Sequence, residues 1–205
     1  MQLKSAELSD FCTPIMLSSD LLVYAYLNGT FPMAHPDEGN DIFWHTPKMR
    51  GIIPLDDQFK VPKNLRRLYN KKPYDFTINN AFEQVIKLCA ELRTEDTWIS
   101  EEIQQAYIDL HHKGLAHSFE AWDGDFLVGG LYGVSLGKAF FGESMFHRAP
   151  NASKLCLVFL VEFLREKNFQ LLDSQYLNPH LIQFGAYEIT HDEYMEKLNK
   201  AVNVG

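Results

Sequence analysis

The spacing of apolar and polar residues changes period along this 205-residue chain, and each change predicts an element. Over residues 18–29 apolar side chains recur at helical spacing. Ser18 or Ser19 can cap that helix, Asp20 suits its first turn, and Gly29 can end it. Residues 30–54 show no period, and Pro32, Pro36, Gly39, Pro47 and Pro54 punctuate them, so irregular chain is expected there. Asn80-Ala81-Phe82-Glu83 has the form of a capping box and predicts a helix running to about Arg93. Ser100-Glu101-Glu102 opens another, which stops at Gly114.

Beyond that glycine the period falls to two. Residues 117–122, 126–135 and 139–146 read as strands, joined by the tight-turn sequences Asp123-Gly124-Asp125 and Leu136-Gly137-Lys138. An antiparallel meander is the expected result. A long helix over 152–167, a buried strand over 170–174, a short helix ending at Gly185 and a terminal helix from about Asp192 to Val202 complete the chain. The fold class is therefore α+β, with helices covering a largely antiparallel sheet. Residues 1–75 are expected to form a small N-terminal lobe, and residues 76–205 the main domain.

Composition narrows the class. With 46% hydrophobic and 22% charged residues, long disordered stretches are excluded. Cys12, Cys89 and Cys156 are odd in number, far apart and outside any CxxC spacing, which suggests a reducing compartment without disulfides or zinc. Lys4, Glu7 and Asp10 precede any apolar run, and the longest such runs (21–27 and 155–161) are far short of a membrane span. The expected location is the cytoplasm.

The net charge of −8 argues against a nucleic-acid partner until its distribution is considered. Lys60, Lys63, Arg66, Arg67, Lys71 and Lys72, six of the 19 basic residues, lie within one short segment with no acidic residue among them. Such a patch on an acidic body is either a phosphate footprint or the solvated face of one helix.

Candidate chemistry lies further on. Gly129, Gly130 and Gly133 fall in a strand that ought to favour branched residues, the mark of a bulge or of close approach by another group. Phe140-Phe141-Gly142-Glu143-Ser144-Met145-Phe146 places a carboxylate among aromatics at a strand end, suited to a cationic amine beside an apolar pocket. Asn151 or Ser153 is expected to cap the long helix. Asp173-Ser174-Gln175 ends a buried strand on polar side chains, with Asp173 and Gln175 on one face. His111, His112, His117 and Glu120 lack a metal-binding helix spacing, and no GxSxG, GxxxxGK[ST] or GxGxxG occurs. No metal is expected, and hydrolase, NTPase and dinucleotide chemistry are disfavoured.

Taken in order, Trp98-Ile99, Gly114 to Ser118, Glu120-Ala121-Trp122, Gly129-Gly130-Leu131-Tyr132-Gly133-Val134, Phe141 to Phe146, Ala152-Ser153-Lys154, Asp173-Ser174-Gln175 and His180 resemble the leucyl/phenylalanyl-tRNA–protein transferase family, over nearly the whole chain. The resemblance implies a small N-terminal lobe and a domain of the acetyltransferase (GNAT) type. It implies transfer of Leu or Phe, and Met more weakly, from aminoacyl-tRNA to proteins beginning with Arg or Lys, marking them for N-end-rule degradation. It also implies that Trp98, Tyr107, Leu131, Phe140, Met145, Leu160 and Leu172 line or approach the pocket for the aminoacyl side chain and the terminal adenosine. Glu143 would hold the aminoacyl amine or the ribose end, and Asp173 and Gln175 would serve the incoming amine. Lys63, Arg66, Arg67, Lys71 and Lys72 fall where the family carries its tRNA-binding segment. No cofactor is implied, and a monomer is the expected state.

Aminolysis of an ester requires a deprotonated, positioned amine and a stabilised oxyanion, and no protein nucleophile. A neutral amide is a weak base, so Asp173 is expected as the effective base, with Gln175 orienting. The chain departs from the family at Phe31-Pro32-Met33, at Trp44-His45-Thr46-Pro47, at His147 and at Gln183-Phe184. Met33 and His147 leave the preferred amino acid and acceptor open. An acetyl-CoA-dependent acetyltransferase, a transferase that adds amino acids from tRNA to cell-wall precursors, and a non-catalytic tRNA- or degron-binding protein remain the competing readings.

Overall fold

The computed structural model describes residues 17–35, 41–92 and 97–203. Cys12, Lys4, Glu7, Asp10, Pro36, Gly39 and the expected helix end at Arg93 lie outside them. The elements are α1 (Ser19–Leu27), β1 (Phe31–His35), β2 (Asp41–His45), β3 (Met49–Ile52), α2 (Lys63–Asn70), β4 (Asp75–Ile78), α3 (Phe82–Glu91) and α4 (Glu101–His112). They continue with β5 (Ala116–Asp123), β6 (Phe126–Leu136), β7 (Ala139–His147), α5 (Ala152–Glu166), β8 (Leu171–Gln175), α6 (Pro179–Ile182), β9 (Tyr187–Thr190) and α7 (His191–Val202).

β1 and β2 form a two-stranded antiparallel pair, and the remaining strands form one sheet in the order β4-β5-β6-β7-β8-β3-β9. Every pairing in that sheet is antiparallel except β7 with β8, whose parallel course follows from the α5 crossover between them. Helices cover both faces. Leu22 and Tyr26 of α1, Val85 and Ile86 of α3, Ile103 and Tyr107 of α4 and Leu198 of α7 build the core on one side. Leu65 of α2, Leu155, Val158 and Leu160 of α5 and Leu181 of α6 build it on the other. The class is α+β, as expected.

Local chemistry explains most helix ends. The Ser18 and Ser100 hydroxyls accept from Leu21 N–H and Ile103 N–H, and Thr190 and Glu193 close a capping box on α7. The capping box expected at Asn80 does not form. The cap residue of α3 is Ala81, which has no side-chain acceptor. Its N–H instead reaches Glu120 Oε1 on β5, so a buried carboxylate does the work that a local side chain was expected to do. Nor does Asn151 cap α5 through its side chain. It takes a left-handed conformation, and α5 starts directly over β6, where a Cβ on Gly129 would lie 2.5 Å from Ala152 Cβ. That glycine permits helix–sheet contact.

Residues 30–54, expected to be irregular, contain β1, β2 and β3. Each is four or five residues long, too short to show a period; β1 and β2 pair with one another, and β3 depends on the distant strands β8 and β9. β3 sits inside the large sheet, between β8 and β9, although its sequence position lies within the first 75 residues.

Candidate active site

The parallel ladder between β7 and β8 pairs Ala139 with Leu171, Phe140 with Leu172 and Phe141 with Asp173. Glu143 and Gln175 lie just beyond its end, bridged by their side chains: Gln175 Nε2 donates to Glu143 Oε1 at 2.8 Å. A cavity of about 660 Å³ opens beside this split. Glu143 and Gln175 line it, as do five of the seven residues expected in the substrate pocket: Trp98, Leu131, Met145, Leu160 and Leu172.

The other two lie behind the wall. Tyr107 is fully buried under Glu143, and its hydroxyl donates to Oε2 at 3.1 Å. Phe140 packs edge-on against Phe119 and Phe169 in the core, where its ring fills the space a Cβ on Gly133 would need.

Glu143 receives a third hydrogen bond, from Tyr26 Oη on α1 to Oε1 at 2.6 Å. The two tyrosine hydroxyls also lie within hydrogen-bond reach of one another, and with one proton apiece they fill two of the three links at a time while the carboxyl is ionised. Burial pushes the Glu143 carboxyl up to about 7; the tyrosine hydrogen bonds and Arg50 oppose that rise, and Asp173 adds to it. The same burial, with Glu143 beside them, holds both tyrosines well above the ordinary phenol range, so they remain donors. A carboxyl balanced near neutrality on a cavity wall can gain or release a proton at working pH.

Asp173 is placed differently. It is fully buried and does not line the cavity. Arg50 Nε donates to both of its oxygens at 3.0 Å and Nη2 to Oδ2 at 2.6 Å. Tyr194 Oη donates to Oδ2 at 2.8 Å, and Gln175 N–H to Oδ1 at 2.8 Å. The Gln175 backbone has φ of 57°, so its side chain does not follow the alternation of β8 and points to the cavity while Asp173 points to the core.

Arg50 and Tyr26 were not singled out in the sequence. Arg50 occurs in a stretch without period, and Tyr26 reads as one more apolar position of a helix; neither carries a local signal of its partner.

The basic segment forms α2 and the turn after it. Lys63, Arg67, Lys71 and Lys72 are exposed, and among the described residues none of the four is in an ion pair. Arg66 pairs with Glu162 of α5 at 2.7 Å, and Tyr69 donates to the same carboxylate at 2.9 Å. Further along, Tyr74 Oη approaches the Pro150 carbonyl at 3.5 Å. The segment therefore tracks α5 back to its first turn, where Ser153 and Lys154 line the cavity. Cys89 and Cys156 are buried, and neither is in a disulfide among the described residues.

An α+β sheet, a cavity with apolar walls and a carboxyl–amide pair facing it make up a candidate active site. The sequence comparisons name the family. Residues 52–199 match the family model for leucyl/phenylalanyl-tRNA protein transferase, and residues 16–48 match the model of its N-terminal domain. A leucyl/phenylalanyl-tRNA–protein transferase of Akkermansia muciniphila is 49% identical over 91% of this chain and 96% of its own. One of Herpetosiphon aurantiacus is 48% identical over 91% and 95%. The chain belongs to the leucyl/phenylalanyl-tRNA protein transferase family. Among solved structures, an aminoglycoside acetyltransferase from an uncultured soil metagenomic sample matches with a TM-score of 0.39 and 16% identity, over 64% of this chain and 88% of that one. Among the described residues no helix is long and apolar enough to cross a membrane.

Proposed function

We propose that this enzyme transfers Leu or Phe from aminoacyl-tRNA to the N-terminal Arg or Lys of acceptor proteins, and that Glu143 is the group that takes the proton from the attacking amine. The observation that carries the reading is the pairing of Glu143 with Gln175 on the cavity wall, with the carboxyl held at about 7. As a member of its family the chain is an aminoacyltransferase that uses aminoacyl-tRNA and protein substrates.

In this mechanism the aminoacyl side chain lies against Leu131, Leu160 and Leu172, while Trp98 and Met145 flank the terminal nucleoside. Gln175 commits Nε2 to Glu143, so its Oε1 is left to accept from the incoming amine and orient it. Glu143 Oε2, which receives only Tyr107, retains a lone pair for the departing proton. The amine attacks the ester carbon, its proton passes to Glu143, and the C–O bond to the tRNA breaks with the proton returned to the 3′ oxygen. Asp173, assigned the base role on sequence grounds, instead holds Gln175: five donated contacts from Arg50, Tyr194 and Gln175 occupy it, and it has no face on the cavity.

Lys63, Arg66, Arg67, Lys71 and Lys72 serve as the phosphate-binding ridge that leads the tRNA end along α5. Residues 16–48 match the family's N-terminal domain, and the protein acts as a cytoplasmic monomer.

Transfer of radiolabelled leucine from Leu-tRNA to peptides beginning with Arg, Lys, Asp or Ala tests the activity. Transfer to the Arg and Lys peptides alone is expected. Transfer only to the others would move the acceptor assignment, and tRNA binding without transfer would overturn the enzymatic reading.

A further inference from the structure

We propose that Arg50 is a positioning residue of this site: it fixes the Asp173 carboxylate, which holds the Gln175 backbone in the turned conformation that brings its amide onto Glu143. The inference rests on reading the cavity as the transfer site.

The chain of contacts is continuous. Arg50 is fully buried, and its guanidinium is anchored at both ends. On one side Nε and Nη2 grip both oxygens of Asp173; on the other Nη1 donates at 2.9 Å to the carbonyl of Gly29, just after α1. Its flat faces lie 4.8 Å from the Phe31 ring centroid and 4.3 Å from that of Tyr194. Burial by itself would favour proton loss from Arg50, but Asp173 outweighs it and keeps the guanidinium charged.

Asp173 Oδ1 then accepts from the N–H of Gln175, two residues on. That bond closes a turn at a residue whose φ of 57° is unfavourable for a side chain with a Cβ. Without a fixed acceptor, Gln175 would relax toward the strand conformation, and its side chain would leave Glu143. Arg50 also ties the segment after α1, the helix that carries Tyr26, to the strand that carries Gln175. Both donors to Glu143 Oε1 are thereby set from one guanidinium.

A purely cohesive role would be better filled by apolar residues, because burying an ion pair costs more desolvation than most pairs recover. What a planar fork supplies, and a lysine does not, is a fixed direction at the carboxylate.

The test is a double-mutant cycle on single-turnover leucine transfer from Leu-tRNA to an Arg-initiated peptide, using wild type, Arg50→Lys, Gln175→Ala and the double variant, each first shown to be folded by thermal melting. Arg50→Lys keeps the charge and loses the fork, so it is expected to slow the step by about tenfold to about a hundredfold with unchanged KM for the tRNA. In the Gln175→Ala background the same change should cost less than about twofold, since the route through Gln175 is already gone. In parallel, hydrogen exchange of the Gln175 N–H should accelerate in Arg50→Lys, a readout that needs no activity. Additive losses, an unchanged rate, or unchanged exchange would overturn the proposal. If wild type transfers nothing, the activity reading falls, and the exchange measurement alone decides the role of Arg50.

Discussion

Two carboxylates a few residues from the same strand junction behave as opposites. Asp173 faces the core and meets a guanidinium, a phenol and a backbone N–H in a closed set of charge-assisted bonds. Glu143 faces the cavity and meets only neutral donors: two phenols and an amide. Their roles follow from what surrounds them. A buried anion bonded to a buried cation is fixed as an anion and becomes architecture. A buried carboxyl without a cation in contact is balanced near its own titration, the condition that the proposed base requires.

The largest effect that separates them is expected from Glu143→Gln. Single-turnover transfer should fall by about 10² to 10⁴, the usual worth of a positioned acid–base group. The same variant should be more stable than wild type above neutrality. A carboxyl raised to about 7 on folding binds a proton that the unfolded chain has released, so the fold loses stability as pH rises from the ordinary carboxylate range through about 7. Relief of that penalty should be on the order of 3 kcal/mol in urea unfolding at slightly alkaline pH. Equal stability of the two proteins there would mean that Glu143 carries no such strain.

Asp173→Ala should act on the fold first, costing about 3–5 kcal/mol because it strands the Arg50 charge in the core. Replacing both partners together, Arg50→Met with Asp173→Leu, should recover most of that stability while leaving transfer impaired. Recovery of transfer along with stability would erase the distinction drawn between structure and positioning.

A smaller effect is expected on the rim. Lys71→Ala with Lys72→Ala should weaken tRNA binding by about tenfold and lower the salt slope of log Kd by about 2, with the rate at saturating tRNA unchanged. An unaltered salt slope would return α2 to the role of a solvated face. The smallest change is Tyr26→Phe. It removes one donor that favours the ionised carboxyl, so the acid limb of the rate profile should move upward, and the rate at high pH should hardly change.

The contrast between the two carboxylates also marks what a sequence can reveal. The meander and α5 were legible because their periods are local, and Gln175 and Glu143 because each sits in an unusual polar run at the end of an apolar strand. Asp173 stood out for the same reason, but its contacts did not. Its partner Arg50 is 123 residues away, on a four-residue strand whose existence depends on pairing with β8 and β9. The positive φ at Gln175, which turns one side chain to the cavity and leaves the other in the core, has no signature in residue type. Tyr26 was equally hidden, because a tyrosine on a buried helical face looks like any other core aromatic until its hydroxyl finds a carboxylate.

The most direct test is the pH dependence of single-turnover leucine transfer to an Arg-initiated peptide, from about pH 5.5 to about 8.5, for wild type and Glu143→Gln. The account predicts a wild-type rate that rises with a midpoint near 7 and a residual rate in the variant from which that limb is gone. A variant that keeps the same limb would show that another group takes the proton, and that Glu143 is not the base.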